Sequence, residues 1–181
     1  VKTAQYMTSV AKVLDIPIVA TQQYTKVFGP TVGECFADAE DLKNTPTFEK
    51  KIFSMLCGPE MDLHLKSLNR TSYVLFGIET HVCVQQTALD LLEQGHDVHI
   101  IVDGVSSQQP IDREIALQRL SQAGAWLTTA QSAAFMLMES ATHPKFKKVS
   151  KLTVEHMKLR NEFNEGHGKS EEKKEHMEAE C

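Results

Sequence analysis

Hydrophobic residues along the first 142 positions recur at helical spacing in some stretches and in short continuous runs in others. Tyr6, Val10 and Val13 mark one face of a helix predicted over residues 2–14. Short apolar runs bounded by turn residues predict strands over residues 16–20, 48–53, 72–78, 97–102 and 125–128. Residues 22–46 are rich in turn-forming residues and predict a long surface loop.

Helical segments occupy the intervals between the later strands. They are predicted over residues 59–68, 83–94, 113–123 and 131–138. Gly95 is expected to end the helix at 83–94. Asp112 is expected to cap the helix at 113–123, and Gly124 to end it. Strands and helices that alternate in this way are typical of an α/β protein whose parallel sheet is covered by helices on both faces. We therefore predict one α/β domain over residues 1–142.

The composition changes from about His143 onward. Val149, Leu152 and Met157 support a helix within a C-terminal extension, which we place at residues 143–164. Residues 165–181 are highly charged and lack apolar periodicity, so we predict a disordered tail there.

Composition and charge exclude several kinds of protein. Hydrophobic residues make up 41% and charged residues 24% of the chain, as in globular proteins. A net charge of -5 argues against a nucleic-acid or anionic-membrane surface, and no apolar run reaches the ~18 residues of a membrane span. The four cysteines form no Cys-x-x-Cys pair, which indicates a reducing compartment rather than a disulfide scaffold. The cytoplasm is therefore the expected location.

Cys83 is the strongest candidate for chemistry in the chain. It follows a predicted buried strand through a tight turn and stands where a helix is expected to begin. A helix N-terminus favours the reactive thiolate, and its free N–H groups can hold an oxyanion. A cysteine beside an apolar run is nevertheless more often a small buried core residue, so both interpretations stay open. Cys35 and Cys57 lie in loop-like sequence, and Cys181 lies in the predicted tail.

The stretch GIETHVCVQQTA, residues 77–88, resembles the cysteine-elbow signature of the isochorismatase-like cysteine hydrolases. The similarity continues in DVHIIVDGVSSQ (97–108), DREIALQRL (112–120), IPIVATQQY (16–24), GPTV (29–32) and HPKFK (143–147). It is greatest to the eukaryotic isochorismatase domain-containing proteins. The resemblance implies a three-layer α/β sandwich with a mostly parallel sheet.

The resemblance also implies roles for individual residues. Cys83 matches the family nucleophile, and Lys50 matches a lysine with the spacing K-x-x-F/Y-S. An ammonium near the thiol favours its thiolate and offsets charge on an intermediate. A cis peptide bond between Ile78 and Glu79 would aim the backbone N–H groups of Glu79 and Cys83 into an oxyanion hole. Without the resemblance, Lys50 and Lys51 are ordinary solvated lysines.

The third catalytic residue of the family, an Asp, has no counterpart in this chain. In the family it ends a first strand in the middle of the sheet, ahead of the helix that here begins near Lys2. Asp15 stands at a helix end before Pro17 and does not match the motif. We expect the native product to be longer, which leaves an organellar form open. We also expect hydrolysis to be impaired without this Asp, because acid–base assistance is worth roughly 10²–10⁴-fold.

Five residues are candidates for lining a substrate pocket. They are Gln22, Tyr24, Phe53, His81 and Ser106, and each has an ordinary alternative as a turn or surface residue. We predict no metal site, because the zinc-binding relatives carry an Asp-x-His element where this chain has QQYT at residues 22–25. Cysteine hydrolysis of this type also needs no organic cofactor.

The predicted function is hydrolysis of an amide-type C–N bond, or a related bond, in a small-molecule substrate. We expect a homo-oligomer with no nucleic-acid or membrane partner. The alternative is a non-catalytic interaction or oligomerisation module that retains the hydrolase fold. A redox-sensing thiol at Cys83 is a third possibility.

Overall fold

The computed structural model describes residues 1–158, in which five strands alternate with eight α-helices. The strands are β1 Ala20–Gln23, β2 Thr47–Lys50, β3 Ser72–Ile78, β4 Asp97–Ser106 and β5 Trp126–Thr128. The helices are α1 Lys2–Val13, α2 Thr25–Phe28, α3 Ala39–Asn44, α4 Pro59–Leu68, α5 Gln85–Glu93, α6 Pro110–Gln122, α7 Ala130–Met138 and α8 Phe146–Met157. A 3₁₀ turn at Gly33–Cys35 and a π-helical turn at Thr80–Val84 complete the order.

The strands form two parallel sheets. In the first sheet β1 pairs with β2, with Gln23 opposite Lys50. In the second sheet the order is β3-β4-β5, and both pairings are parallel. Within residues 1–158, β1 and β3 each have one edge without a strand partner. The carboxyl ends of parallel strands are where α/β proteins place their ligands.

Helices cover both faces of the three-stranded sheet because its side chains alternate. Val74 and Phe76 of β3 pack with Ile101 against the group formed by α1, α7 and α8. Leu75 points the other way and packs with Ile100 against α5 and α6. Successive strand residues face opposite sides of a sheet, so one apolar run serves two cores. The predicted α/β sandwich with a parallel sheet is confirmed.

Helix α8 packs on α1. Val149 is fully buried, and the hydroxyl groups of Tyr6 and Thr153 lie 2.7 Å apart. The His156 ring stacks on Tyr6 with 4.5 Å between ring centroids, and burial lowers the pKa of the imidazole while Asp103 opposes that shift. The division into a domain, an extension and a tail stays a prediction, and residues 165–181 lie outside the described part of the chain.

Two predictions about the first third of the chain are wrong. The strand predicted over residues 16–20 begins at Ala20, because the apolar run before it packs as an irregular, half-buried connection. Residues 22–46 are not one loop, since they contain the end of β1, α2, a 3₁₀ turn and α3. The Asp38 side chain caps α3 by accepting a hydrogen bond from the Asp41 N–H.

One boundary near the middle of the sheet also differs. Strand β4 extends beyond residue 102 to Ser106, so Asp103 and Gly104 lie inside the strand. This extension needs Gly104, because a Cβ there would lie 2.9 Å from Ile101 Cγ2 and 3.2 Å from Phe76 Cβ. None of the helices among the described residues is long and apolar enough to cross a membrane.

Candidate active site

Lys50 and Cys83 meet at the carboxyl edge of the two sheets. Lys50 is the last residue of β2, and Cys83 follows the end of β3 by five residues. The Lys50 Nζ lies 3.4 Å from the Cys83 Sγ. The two residues are 33 positions apart in the chain, so the fold rather than local sequence brings them together.

The Lys50 side chain is only 5% exposed and is surrounded by oxygen acceptors. Its Nζ donates to Gln23 Oε1 at 2.5 Å, to the Phe53 carbonyl at 2.8 Å and to the Ile52 carbonyl at 3.2 Å. An ammonium group has three protons, and these are shared among the three oxygens and the Cys83 sulfur. Among residues 1–158 no carboxylate forms an ion pair with Lys50, so the sulfur of Cys83 is the group beside it that can carry negative charge.

The turn that carries Cys83 differs from the predicted one in two respects. Cys83 lies inside the π-helical turn Thr80–Val84, and α5 begins only at Gln85. The predicted cis bond between Ile78 and Glu79 is wrong, because that bond is trans. The chain instead reverses through Gly77, with φ of 148°, and Glu79, with φ of 58° in the left-handed region. Single π-helical turns are frequent at functional sites.

Thr87 connects the Lys50 loop to the Cys83 turn. Its hydroxyl accepts a hydrogen bond from the Met55 N–H at 2.8 Å and donates one to the Cys83 carbonyl at 2.7 Å. Thr87 is 2% exposed. The loop at residues 51–55, whose carbonyls hold Lys50, is therefore tied directly to the turn that carries Cys83. The position of Thr87 one helical turn after Cys83 is the signal from which this role could have been found.

Gln23 is a second residue that the sequence analysis missed. It lies opposite Lys50 in the β1–β2 register, and its side-chain oxygen makes the shortest contact with the Lys50 Nζ. The register of two separate strands cannot be deduced from a single sequence, so nothing in the chain distinguished Gln23 from its neighbour Gln22.

The structure brings two of the five pocket candidates to Lys50. The carbonyl of Phe53 accepts from Lys50, and the Phe53 side chain is half exposed. The Tyr24 N–H donates to the Lys50 carbonyl at 2.9 Å, and the Lys51 Nζ lies 5.0 Å from the centroid of the Tyr24 ring. By contrast, Gln22 accepts from the Thr31 N–H at 2.7 Å and holds the loop after α2.

Ser106 and His81 have other surroundings. Ser106 is exposed at the end of β4, in register with Ile78. The His81 Nδ1 lies 3.0 Å from Ser107 Oγ, and its Nε2 lies 3.8 Å from Asp112 Oδ2. Residues two apart in a helical turn do not face each other, so His81 points away from the side chain of Cys83.

The ring of His81 thus connects the Cys83 turn to the start of α6. Asp112 was predicted to cap α6, but Gln109 holds the capping position and makes no side-chain cap. Asp112 lies in the first turn of the helix instead, where its carboxylate faces His81. A second carboxylate, that of Glu79, lies 3.4 Å from His81 Nδ1.

The other described cysteines lack the surroundings of Cys83. Cys35, Cys57 and Cys83 are free thiols, and Cys83 is half-buried. Burial raises the pKa of the Cys35 thiol, which keeps it in the less reactive form. Asp15, the Asp nearest the expected position in sequence, has its carboxylate 3.6 Å from the Lys145 Nζ.

Two surface cavities lie away from the Lys50–Cys83 pair. One, of about 620 Å³, runs along α6 beside Leu127, and one of about 270 Å³ lies between α1, α3 and α4. Over residues 1–158 no three or more His, Cys, Asp or Glu side chains are grouped so that they could hold a metal ion. The Lys50–Cys83 pair presents a partly buried thiol and a buried cation at the sheet edge.

Comparison with known proteins identifies the class of protein to which this fold and site belong. Residues 1–132 match the model of the isochorismatase domain. The secreted isochorismatase effector Isc1 of Phytophthora sojae is 47% identical over 162 residues, which cover 88% of this chain and 77% of that protein. Isochorismatase domain-containing protein 2 of Xenopus laevis is 46% identical over 86% of this chain and 73% of its own.

A solved structure agrees with the sequence relatives. The MAR1 ribonuclease structure from Caenorhabditis elegans superposes with a TM-score of 0.77 at 42% identity, over 84% of this chain and 77% of that one. The chain therefore belongs to the isochorismatase family, and it has the fold of the isochorismatase-like hydrolases. The predicted resemblance to the eukaryotic isochorismatase domain-containing proteins is confirmed.

Proposed function

We propose that this protein is a cysteine-dependent hydrolase of an amide-type C–N bond, or a related bond, in a small molecule. The observation that carries the proposal is the 3.4 Å contact between the Cys83 sulfur and the buried Lys50 ammonium. A fixed cation beside a thiol favours the thiolate, which is the attacking form. Cys83 is partly buried and not enclosed in the core, as a nucleophile that meets a small substrate requires.

The proposed reaction has two steps. The Cys83 sulfur attacks the carbonyl carbon, the C–N bond breaks, and the amine leaves with the proton that the thiol has given up. Water then attacks the thioester, its hydroxyl group stays on the acyl carbon as the acid, and its other proton returns to the sulfur. Lys50 offsets the negative charge that develops at the attacked centre, and the backbone N–H groups of Glu79 and Cys83 are the proposed oxyanion donors. Because the described residues place no carboxylate beside Lys50, we propose slow turnover for this chain.

The first experiment measures the reactivity of each cysteine. The full chain is treated with iodoacetamide over a range of pH, and each cysteine is followed by peptide mass spectrometry. We expect Cys83 to react faster than Cys35 and Cys57. Lys50→Met should slow Cys83, whereas the matched variant Lys51→Met should not, because Lys51 is exposed.

The second experiment measures the reaction itself. Ammonia release is assayed with a panel of small amides. Isochorismate, which contains no nitrogen, is included with its own consumption as the readout, because a relative is named an isochorismatase effector. We expect activity that is lost in Cys83→Ser. The proposal would be contradicted if Cys83 reacts no faster than Cys35 and no amide in the panel releases ammonia. That result would favour the non-catalytic module.

Two arms of the same assays address the other candidates. Reversible oxidation of Cys83 without hydrolysis would favour a redox-sensing thiol. The Caenorhabditis elegans relative is named a ribonuclease, so RNA is included as a substrate. We expect no RNA cleavage that depends on Cys83, because the net charge of -5 disfavours binding to a polyanion.

The remaining partner predictions belong to the same proposal. We propose a small-molecule substrate, no nucleic-acid or membrane partner, no organic cofactor, and a cytoplasmic location. We also propose a homo-oligomer. Sedimentation of the full chain at several concentrations tests the assembly, and a single species of monomer mass at all of them would contradict it.

A further inference from the structure

Gln23 is not one of the predicted site residues, yet it makes the shortest contact with the buried cation of the site. The parallel register of β1 and β2 sets Gln23 directly opposite Lys50. Residues in register on neighbouring strands project from the same face of a sheet. The Gln23 Oε1 lies 2.5 Å from the Lys50 Nζ, compared with 3.4 Å from that nitrogen to the Cys83 sulfur.

The orientation of the Gln23 amide is determined by its two partners. An ammonium group only donates hydrogen bonds, so the amide oxygen must face Lys50. The amide nitrogen faces the opposite way and donates to the Lys51 carbonyl at 3.0 Å. One side chain therefore spans from the end of β2 to the first residue of the loop whose carbonyls also hold Lys50.

We propose that Gln23 is the positioning residue that holds the Lys50 ammonium against the Cys83 sulfur. This assignment rests on the proposed role of Cys83 as nucleophile. Gln23 does not touch the sulfur in the described contacts and acts through Lys50. As a neutral acceptor it directs the ammonium without supplying a negative charge that would compete with a Cys83 thiolate.

The pH midpoint of Cys83 alkylation tests this assignment without any substrate. Gln23→Met keeps the length of the side chain and removes the acceptor. Without this acceptor the ammonium is no longer held at the sulfur, so we expect the Cys83 midpoint to rise by roughly half to one pH unit. Gln118→Met is the matched control, because Gln118 is exposed on α6 and its side chain contacts Glu114. The control should keep the wild-type midpoint.

A merely structural role for Gln23 gives a different result. In that case Gln23→Met lowers the melting temperature but leaves the Cys83 midpoint at its wild-type value, and the assignment is overturned. If Gln23→Met does not fold, Gln23→Asn decides, because its amide is one methylene shorter and cannot hold the Lys50 ammonium at the same place while the residue stays polar. The midpoint should again rise by roughly half to one pH unit, and an unchanged midpoint overturns the assignment.

Failure of the proposed reaction is distinguishable from failure of this inference. If no amide releases ammonia but Gln23→Met shifts the pH midpoint of Cys83 alkylation, the hydrolysis is rejected and the positioning role is supported. If an amide is hydrolysed but Gln23→Met leaves that midpoint unchanged, the reaction is supported and the positioning role is rejected.

Discussion

Replacing Thr87 with valine isolates the contact that joins the two halves of the site. Valine has nearly the shape of threonine, so the buried volume is preserved. The substitution removes the acceptor of the Met55 N–H and the donor to the Cys83 carbonyl. Because Thr87 is 2% exposed, water cannot readily replace the lost hydroxyl group.

The expected loss of stability follows from the groups left behind. A buried N–H group without an acceptor costs about 1–3 kcal/mol, and the added methyl group offsets part of this. We therefore expect the free energy of unfolding to fall by about 2 kcal/mol. For a domain of this size that corresponds to a fall of roughly 4–8 °C in melting temperature.

Urea denaturation of Thr87→Val and Thr87→Ser measures this effect. The serine variant keeps both hydrogen bonds and loses one methyl group, which costs about 1 kcal/mol. Only the valine variant releases the loop at residues 51–55, so it alone should also slow the alkylation of Cys83. A valine variant as stable as the serine variant, with Cys83 labelled at the wild-type rate, would refute this reasoning.

Two further predictions concern packing and pH. Gly104→Ala should lower the free energy of unfolding in urea by about 1–3 kcal/mol, because the added Cβ would lie 2.9 Å from Ile101. The control Gly33→Ala should change it little, because the nearest neighbour of a Cβ there is 4.0 Å away. Burial lowers the pKa of His156, so the unfolded chain binds a proton more readily than the folded one, and stability should fall as pH drops below about 6.5. His156→Phe keeps the ring against Tyr6 and should weaken this pH dependence, and an unchanged dependence would contradict the explanation.

Where several local signals agree, the sequence predicted the structure residue by residue. Strand β3 at Ser72–Ile78 is a dense run of strand-forming residues that ends in a turn, and α4 at Pro59–Leu68 begins with a proline in its first turn. Both were predicted with the bounds that the structure has. The pairing of Lys50 with Cys83 came from the family resemblance, since no local pattern relates residues 33 positions apart.

Other features depend on contacts that no local pattern contains. The run at residues 16–20 is as apolar as a buried strand, but hydrogen bonding to β2 begins only at its last residue, Ala20. The left-handed conformation of Glu79 is uncommon for a residue with a side chain, and the surrounding structure rather than the propensity of Glu imposes it. His81 was assigned to the pocket from its distance in sequence to Cys83, although helical geometry turns it toward Ser107.

The placement of Lys50 and Cys83 on different sheets determines what controls their separation. Lys50 ends β2 and Cys83 follows β3, and in the described part of the chain no strand pairing joins the two sheets. Side-chain and loop contacts therefore set the 3.4 Å distance, and those from Gln23 and Thr87 are among them. Such contacts are individually worth about 1 kcal/mol, which is little against the stability of the whole domain. Substitutions at these two positions should consequently change the reactivity of Cys83 well before they unfold the protein.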